Sequence, residues 1–270
     1  MKLSISNLAW KNEEADSVYS TLQTLGVGGI EIAPIKTFGN IDPGSEQISK
    51  FKADIGKYEL AVIASQAYLF GRPDLQLFGS AAVQAEFIEY TKKAIALTAH
   101  LGGKIVVFGA PKNRRRLELQ VDESDEIAKI FLAEIGAFSE KLGIIFCIEP
   151  NAVEYGCDYI TDSGWAARLI RSVNSPGIGL HLDSACMAMS KENIPLQISR
   201  NADILKHFHV SEPFLKDFKN PSEFHDIVAS ALSNISYKNW VSIEMLGGED
   251  AIRKVETAVI FAQKTYGKLL

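Results

Sequence analysis

The chain has 270 residues, 28 Lys and Arg against 33 Asp and Glu, a formal charge of −5 and 47% hydrophobic residues. With a mean hydropathy of +0.04, those values describe a packed globular protein and exclude a disordered or fibrous one. A pI near 5.6 argues against a nucleic-acid partner, which selects a basic face. No apolar run approaches the roughly 18 residues that span a bilayer, so no membrane partner is expected. Residues Met1 to Asn7 run into Lys11 and Asn12 too early for a signal peptide, and Cys147, Cys157 and Cys186 show no CxxC spacing. A cytoplasmic protein without a disulfide framework is the expectation.

Short apolar, β-branched runs alternate with longer amphipathic segments along the whole chain. The strands predicted are Leu3–Asn7, Gly29–Ala33, Leu60–Ser65, Lys104–Phe108, Ile144–Glu149, Ile178–Asp183, Leu205–Val210 and Val241–Met245. Helical periodicity predicts Glu14–Leu25, Ser45–Lys57, Ala81–Leu101, Glu123–Leu142, Ser163–Val173, Ile194–Asn201, Ser222–Ser233 and Asp250–Tyr266. Gly26, Gly102 and Gly143 stand where helices should stop, and Asp162 and Pro221 where helices should begin. Near-continuous apolar strands such as Ile105–Phe108 and Ile144–Ile148 imply burial on both faces, hence a parallel sheet.

Two architectures suit that pattern, an open doubly wound sheet and a closed barrel. Eight strand–helix units of about 33 residues fill the chain, which is the arithmetic of a single α/β domain, a (β/α)8 TIM barrel over residues 1–270. The glycine fingerprint of an open dinucleotide-binding sheet is missing after the first strand, and no linker interrupts the chain.

Barrels of this kind carry chemistry at the carboxyl ends of their strands. Strands five to eight end on Glu149, Asp183, His209 and Glu244. Neighbouring strands lie about 4.8 Å apart, so inward-pointing side chains at those ends would converge. Three carboxylates brought together repel unless a cation sits among them. Oxygen-rich ligation with one imidazole suits one divalent metal, Mn²⁺, Mg²⁺ or Co²⁺ first and Zn²⁺ next. Caps and salt-bridge partners are the competing use of any one of these residues.

These residues, together with Gly29-Ile30-Glu31, Glu149-Pro150, His181-Leu182-Asp183 and His207-Phe208-His209, resemble the xylose-isomerase-like TIM-barrel superfamily of sugar phosphate isomerases and epimerases. The resemblance covers the whole chain. It implies a metal held by Glu149, Asp183, His209 and Glu244, and in the epimerase branch Glu149 and Glu244 as the acid/base pair. It also implies a histidine three residues after the metal Asp and an arginine six after the metal His, where this chain has Cys186 and Leu215. An apurinic endonuclease of the same superfamily needs more histidines than the five present.

The chemistry asked for is removal and return of a proton beside a carbonyl, through a metal-stabilised enediolate. The expected activity is therefore isomerisation or epimerisation of a sugar or sugar acid, with possible homo-oligomers. An inosose-type dehydratase on the same metal site and a barrel that binds carbohydrate without turnover are the alternatives. Further substrate contacts are expected from Glu31, Gln66, Lys112, Arg114, His181, Cys186 and Glu212, against salt-bridge, solvated or packed roles for the same residues. His181 and His207 lie one layer below the ligands, either orienting them or packed as core histidines. The aromatic segment Gln66–Pro73 and Trp10 are candidates for walls over a sugar ring, against ordinary packing. Gly247-Gly248 is not expected to hold phosphate, because Glu249 and Asp250 take the helix start.

Overall fold

A computed structural model describes residues 2–267 of the chain. Eight parallel strands, β1 (Lys2–Ser6), β2 (Gly29–Ile32), β3 (Ala61–Ser65), β4 (Ile105–Phe108), β5 (Ile145–Ile148), β6 (Ile178–Asp183), β7 (Leu205–Ser211) and β8 (Trp240–Glu244), close into one barrel in chain order. Helices α1 (Ala15–Thr24), α2 (Pro34–Phe38), α3 (Ser45–Gly56), α4 (Ala81–Leu101), α5 (Val121–Lys141) and α6 (Ser163–Val173) follow the first five strands. α7 (Ser184–Met189), α8 (Ile194–Arg200), α9 (Phe224–Asn234) and α10 (Ala251–Tyr266) complete the ring. The single (β/α)8 barrel expected from the alternation is the fold observed. No helix among the described residues is long and apolar enough to cross a membrane.

Helix ends obey local chemistry. Asp162 caps α6 by accepting from Trp165 N, and Gly102 ends α4 in the left-handed region at φ 93°. One helix start and two short helices are among the departures from the sequence reading. α9 starts at Phe224, because the Ser222 N–H and hydroxyl are tied to the Glu212 carboxylate instead of opening the helix. α2 and α7, of 5 and 6 residues, are too short to show a helical period.

The barrel interior is not uniform. Ile63, Ile105, Val107 and Cys147, with Ile145 and Trp240 against them, form a small apolar cluster distinct from the main core between strands and helices. By strand alternation, Ile145 and Cys147 share a face with Glu149, so this cluster is the floor beneath it. On β6 and β7 the same inward level carries His181 and His207, which pair in register.

One irregularity sets that level. Leu180 pairs with Leu205, then the register slips so that His181 faces His207 and Asp183 faces His209. Without the slip His181 would face Lys206, and both histidines of β7 would sit one step out of line with β6.

β6 also approaches α5 closely. A Cβ placed on Gly177 would lie 2.1 Å from the Gly136 carbonyl oxygen, a backbone atom that cannot step aside. Gly177→Ala is therefore expected to cost about 1–3 kcal/mol by overpacking, read as a lower urea midpoint at unchanged slope; an unaltered midpoint would contradict the close approach.

Candidate metal centre

Glu149 follows β5 directly. Its backbone N–H donates to Phe108 O at 3.1 Å, and its carbonyl accepts from Arg114 Nη2 at 2.7 Å. Gly109 leaves room for the carboxylate, since a Cβ there would lie 2.1 Å from Glu149 Oε2. Asp183 ends β6 and caps α7, with Oδ1 accepting from Cys186 N at 2.7 Å and Oδ2 from the Ser211 hydroxyl. His209 lies within β7, and Glu244 ends β8.

One donor atom from each of these four residues lies within 4.8 Å of the other three. His209 uses Nε2 against Glu31 Oε2 at 2.9 Å. That contact turns Nδ1 toward Glu244 Oε2, 3.3 Å away, and Nδ1 is buried without a hydrogen-bond partner. A buried imidazole nitrogen left free, surrounded by three carboxylates, is the arrangement that a hard or borderline dication completes. The residues present fit such an ion.

The electrostatics agree. Burial, then the Glu244 charge, push the Glu149 carboxyl up to about 8; His209 opposes them, Asp183 adds a smaller push and Arg114 a smaller pull. Burial and Glu244 likewise raise Asp183. Burial pulls His209 down, but Glu31 and Glu244 outweigh it and hold the imidazole well above its usual range. Glu31 mirrors this: burial raises it, yet His209 and His207 together hold it well below the usual carboxylate range.

Several expected contacts are corrected by the structure. Glu31 is fully buried and takes both His207 Nε2 (3.1 Å) and His209 Nε2, so it braces the histidines from behind and cannot reach a substrate hydroxyl. His181 is also fully buried, with Nε2 3.7 Å from Glu149 Oε1, and belongs to the floor. His207, expected either to orient the donors or to pack as a core histidine, is fully buried and meets Glu31 rather than any of the four donors. Arg114 does not stand at the mouth: it is fully buried and donates to Phe108 O, Glu149 O and Asn151 Oδ1. The loop turns it inward because Arg116 is clamped to Asp158 through backbone and side chain. Glu212 points away from the four donors, bound by Ser222 N at 2.7 Å and His225 Nε2 at 3.0 Å. Trp10 packs edge-on against Tyr19 at 6.1 Å, within the core.

Gln66, Lys112 and Cys186 do line the cavity above the donors, as does the aromatic segment Tyr68–Gly71. Sequence reasoning passed over Gly109, Asn151, Tyr155 and Ser211. Ser211 and Asn151 stand two residues past His209 and Glu149, so the strand period alone pointed to them. Ala67, Ala110 and Leu215 around the same cavity adopt left-handed φ values of 49°, 43° and 54°.

Two outcomes follow. Glu31→Gln is expected to weaken Mn²⁺ binding about 10–100-fold, the usual cost of losing a ligand's outer partner; equal affinity in a calorimetric titration would contradict the bracing role. Below about pH 8 Glu149 keeps a proton that the unfolded chain sheds near 4.5. That proton favours the folded metal-free protein below its unfolded pKa, and the gain is lost as pH rises through about 8. Mn²⁺ must displace it, so the thermal shift caused by Mn²⁺ should grow as pH climbs through that range. A shift that shrinks with rising pH would contradict it.

The model of the xylose isomerase-like TIM barrel matches residues 20–261. A ketose 3-epimerase of Arthrobacter globiformis is 23% identical over 248 residues, covering 90% of this chain and 83% of the relative. A D-psicose 3-epimerase from Clostridium cellulolyticum, solved with D-tagatose, superposes at a TM-score of 0.81 with 16% identity, over 98% of this chain and 99% of that one. A 3-keto-D-glucoside 4-epimerase from E. coli gives a TM-score of 0.80 at 17% identity, over 98% and 99%. At such identities the superpositions speak for the fold alone. The match across most of its length makes the chain a member of the xylose isomerase-like TIM-barrel family.

Proposed function

We propose that the chain is a divalent-metal-dependent epimerase or isomerase of a sugar or sugar derivative. The observation that carries the reading is the convergence of Glu149, Asp183, His209 and Glu244 donors within 4.8 Å, at the end of the barrel where this fold does its chemistry. Similarity to a ketose 3-epimerase along 90% of the chain supports the same reading.

A dication bound there, with Mn²⁺, Mg²⁺ or Co²⁺ favoured by the donor set, supplies Lewis-acid stabilisation of the charge that develops on a carbonyl oxygen. The protein's own residues handle the proton. Glu149 and Glu244 come from strands that are not neighbours in the barrel, so their carboxylates approach a substrate from different sides. One takes the proton from the carbon beside the carbonyl, giving an enediolate; the other returns a proton, to the opposite face in an epimerase. Arg114 fixes the Glu149 backbone from below, at Glu149 O. Tyr68 and Leu69 on the β3 loop screen the cavity from solvent; both are nearly inaccessible.

The test is hydrogen exchange at carbon. With Mn²⁺ present in deuterated water, a ketose substrate should take up solvent deuterium without change of heavy-atom composition. Glu149→Gln and Glu244→Gln should each slow this by about 10²–10⁴, the usual worth of a positioned acid or base. Loss of one water would convert the reading to a dehydratase. Binding with no exchange across a ketose panel would leave a carbohydrate-binding barrel in its place.

A further inference from the structure

Beneath the four donors, the barrel floor holds polar atoms with nothing to bond. His181, His207 and Glu31 are fully buried. Both ring nitrogens of His181, Nδ1 of His207 and Oε1 of Glu31 lack a hydrogen-bond partner. The 3.7 Å between His181 Nε2 and Glu149 Oε1 is too long to supply one. Ser242, which pairs in register with His209, adds a buried hydroxyl in the same condition. Buried polar atoms are almost always satisfied by protein, water or an ion, and each one left over costs about 1–3 kcal/mol. On β3, β4 and β5 the interior is filled by Ile63, Val107 and Cys147, so a floor that only had to fill space needed no histidine.

Two register slips gather these residues. β2 slips against β3 between Ile30 and Glu31, and β6 against β7 between Leu180 and His181. Each slip falls beside a member of the group, and such irregularities re-aim side chains at functional sites. One nitrogen each of His181, His207 and His209 thereby lies within 4.8 Å of the other two. Glu31 Oε2 stands 3.1 Å from His207 Nε2 and 2.9 Å from His209 Nε2. A tetrahedral Zn²⁺ with bonds of about 2.0–2.1 Å holds its donors about 3.3 Å apart. The two Glu31 contacts already lie near that spacing. Three imidazoles and one carboxylate make a closed four-coordinate set, richer in nitrogen than the oxygen-rich set above it.

From the orphaned atoms and this donor spacing, we propose that the floor is a second metal site, taking a Zn²⁺-class dication between His181, His207, His209 Nε2 and Glu31 Oε2. It is separate from the epimerase chemistry, because none of these four residues lines the substrate cavity and all are fully buried. Sealed from substrate, the ion is structural and contributes folding energy, as closed zinc sites do. His209 serves both levels, with Nε2 turned down to Glu31 and Nδ1 up toward Glu244. The lower ion thus fixes the imidazole that the upper set uses.

Zinc content of the full chain, refolded from urea in Zn²⁺ and freed of loose metal by gel filtration, tests this. Asp183→Ala with Glu244→Ala removes two mouth donors, and that double variant should still retain about one Zn²⁺ per chain. Adding His181→Leu, which breaks no hydrogen bond, should abolish the retention. In the otherwise native chain, His181→Leu should lower the zinc content by about one ion. Co²⁺ used in place of Zn²⁺ should show the visible bands of a four-coordinate imidazole site and lose them with the same substitution. No Zn²⁺ in the double variant, or a content that His181→Leu leaves unaltered in either background, would overturn the proposal and assign ordered water to the orphaned atoms. Deuterium uptake into a ketose reads the mouth alone, so its failure in the native chain would strike the epimerase and leave this site standing.

Discussion

Everything at the mouth of this barrel depends on holding three carboxylates and one imidazole closer together than their charges favour. Burial raises the affinity of Glu149 and Asp183 for protons, and the Glu244 charge adds to the effect on both. The fold sustains this with fixed supports. Arg114 grips the Glu149 carbonyl, Ser211 and the α7 amide grip Asp183, and Glu31 anchors His209 from below. Each support is itself buried, so the geometry is set by the core rather than by solvent-facing side chains.

The interior divides into two halves that serve different ends. Around β3, β4 and β5 the inward residues are Ile63, Ile105, Val107 and Cys147, an apolar plug. Around β2, β6 and β7 they are Glu31, His181, His207 and His209, with the histidine rings 4.0 to 5.3 Å apart. In the polar half Glu31 lies as an anion against His209 and His207, which hold its carboxyl low. A buried pair of this kind adds little net stability, and breaking it by removing one partner is costly. Its worth here is orientation: it commits His209 Nε2 and leaves Nδ1 facing Glu244 without a hydrogen-bond partner.

Much of this was legible in the sequence. Strand limits agree to within a residue or so, because buried parallel strands read as β-branched runs and end abruptly at charged residues. The four residues were legible for a similar reason: Glu149, Asp183 and Glu244 are the charges at which those runs stop, and His209 stands two residues before the end of β7. What escaped was depth. Nothing local distinguishes Glu31, sealed beneath the site, from Glu149 at its rim; the difference arises when β2 and β7 close across the barrel. Arg114 likewise reads as part of a solvated basic run, and only the clamp of Arg116 on Asp158, 42 residues away, turns it inward. Glu212 turns away because its partners are Ser222, just before α9, and His225, in its first turn, beyond the reach of strand periodicity.

Ala67, Ala110 and Leu215 hold left-handed backbone around the cavity without being glycine, at about 1–3 kcal/mol apiece. Their cost is met by the packing beneath. A laboratory search for heat tolerance would find these three positions early, since glycine or asparagine there relaxes the chain. The gain would come with softened loops. Thermal hardiness and a well-shaped mouth are therefore opposed in this molecule at the same three places.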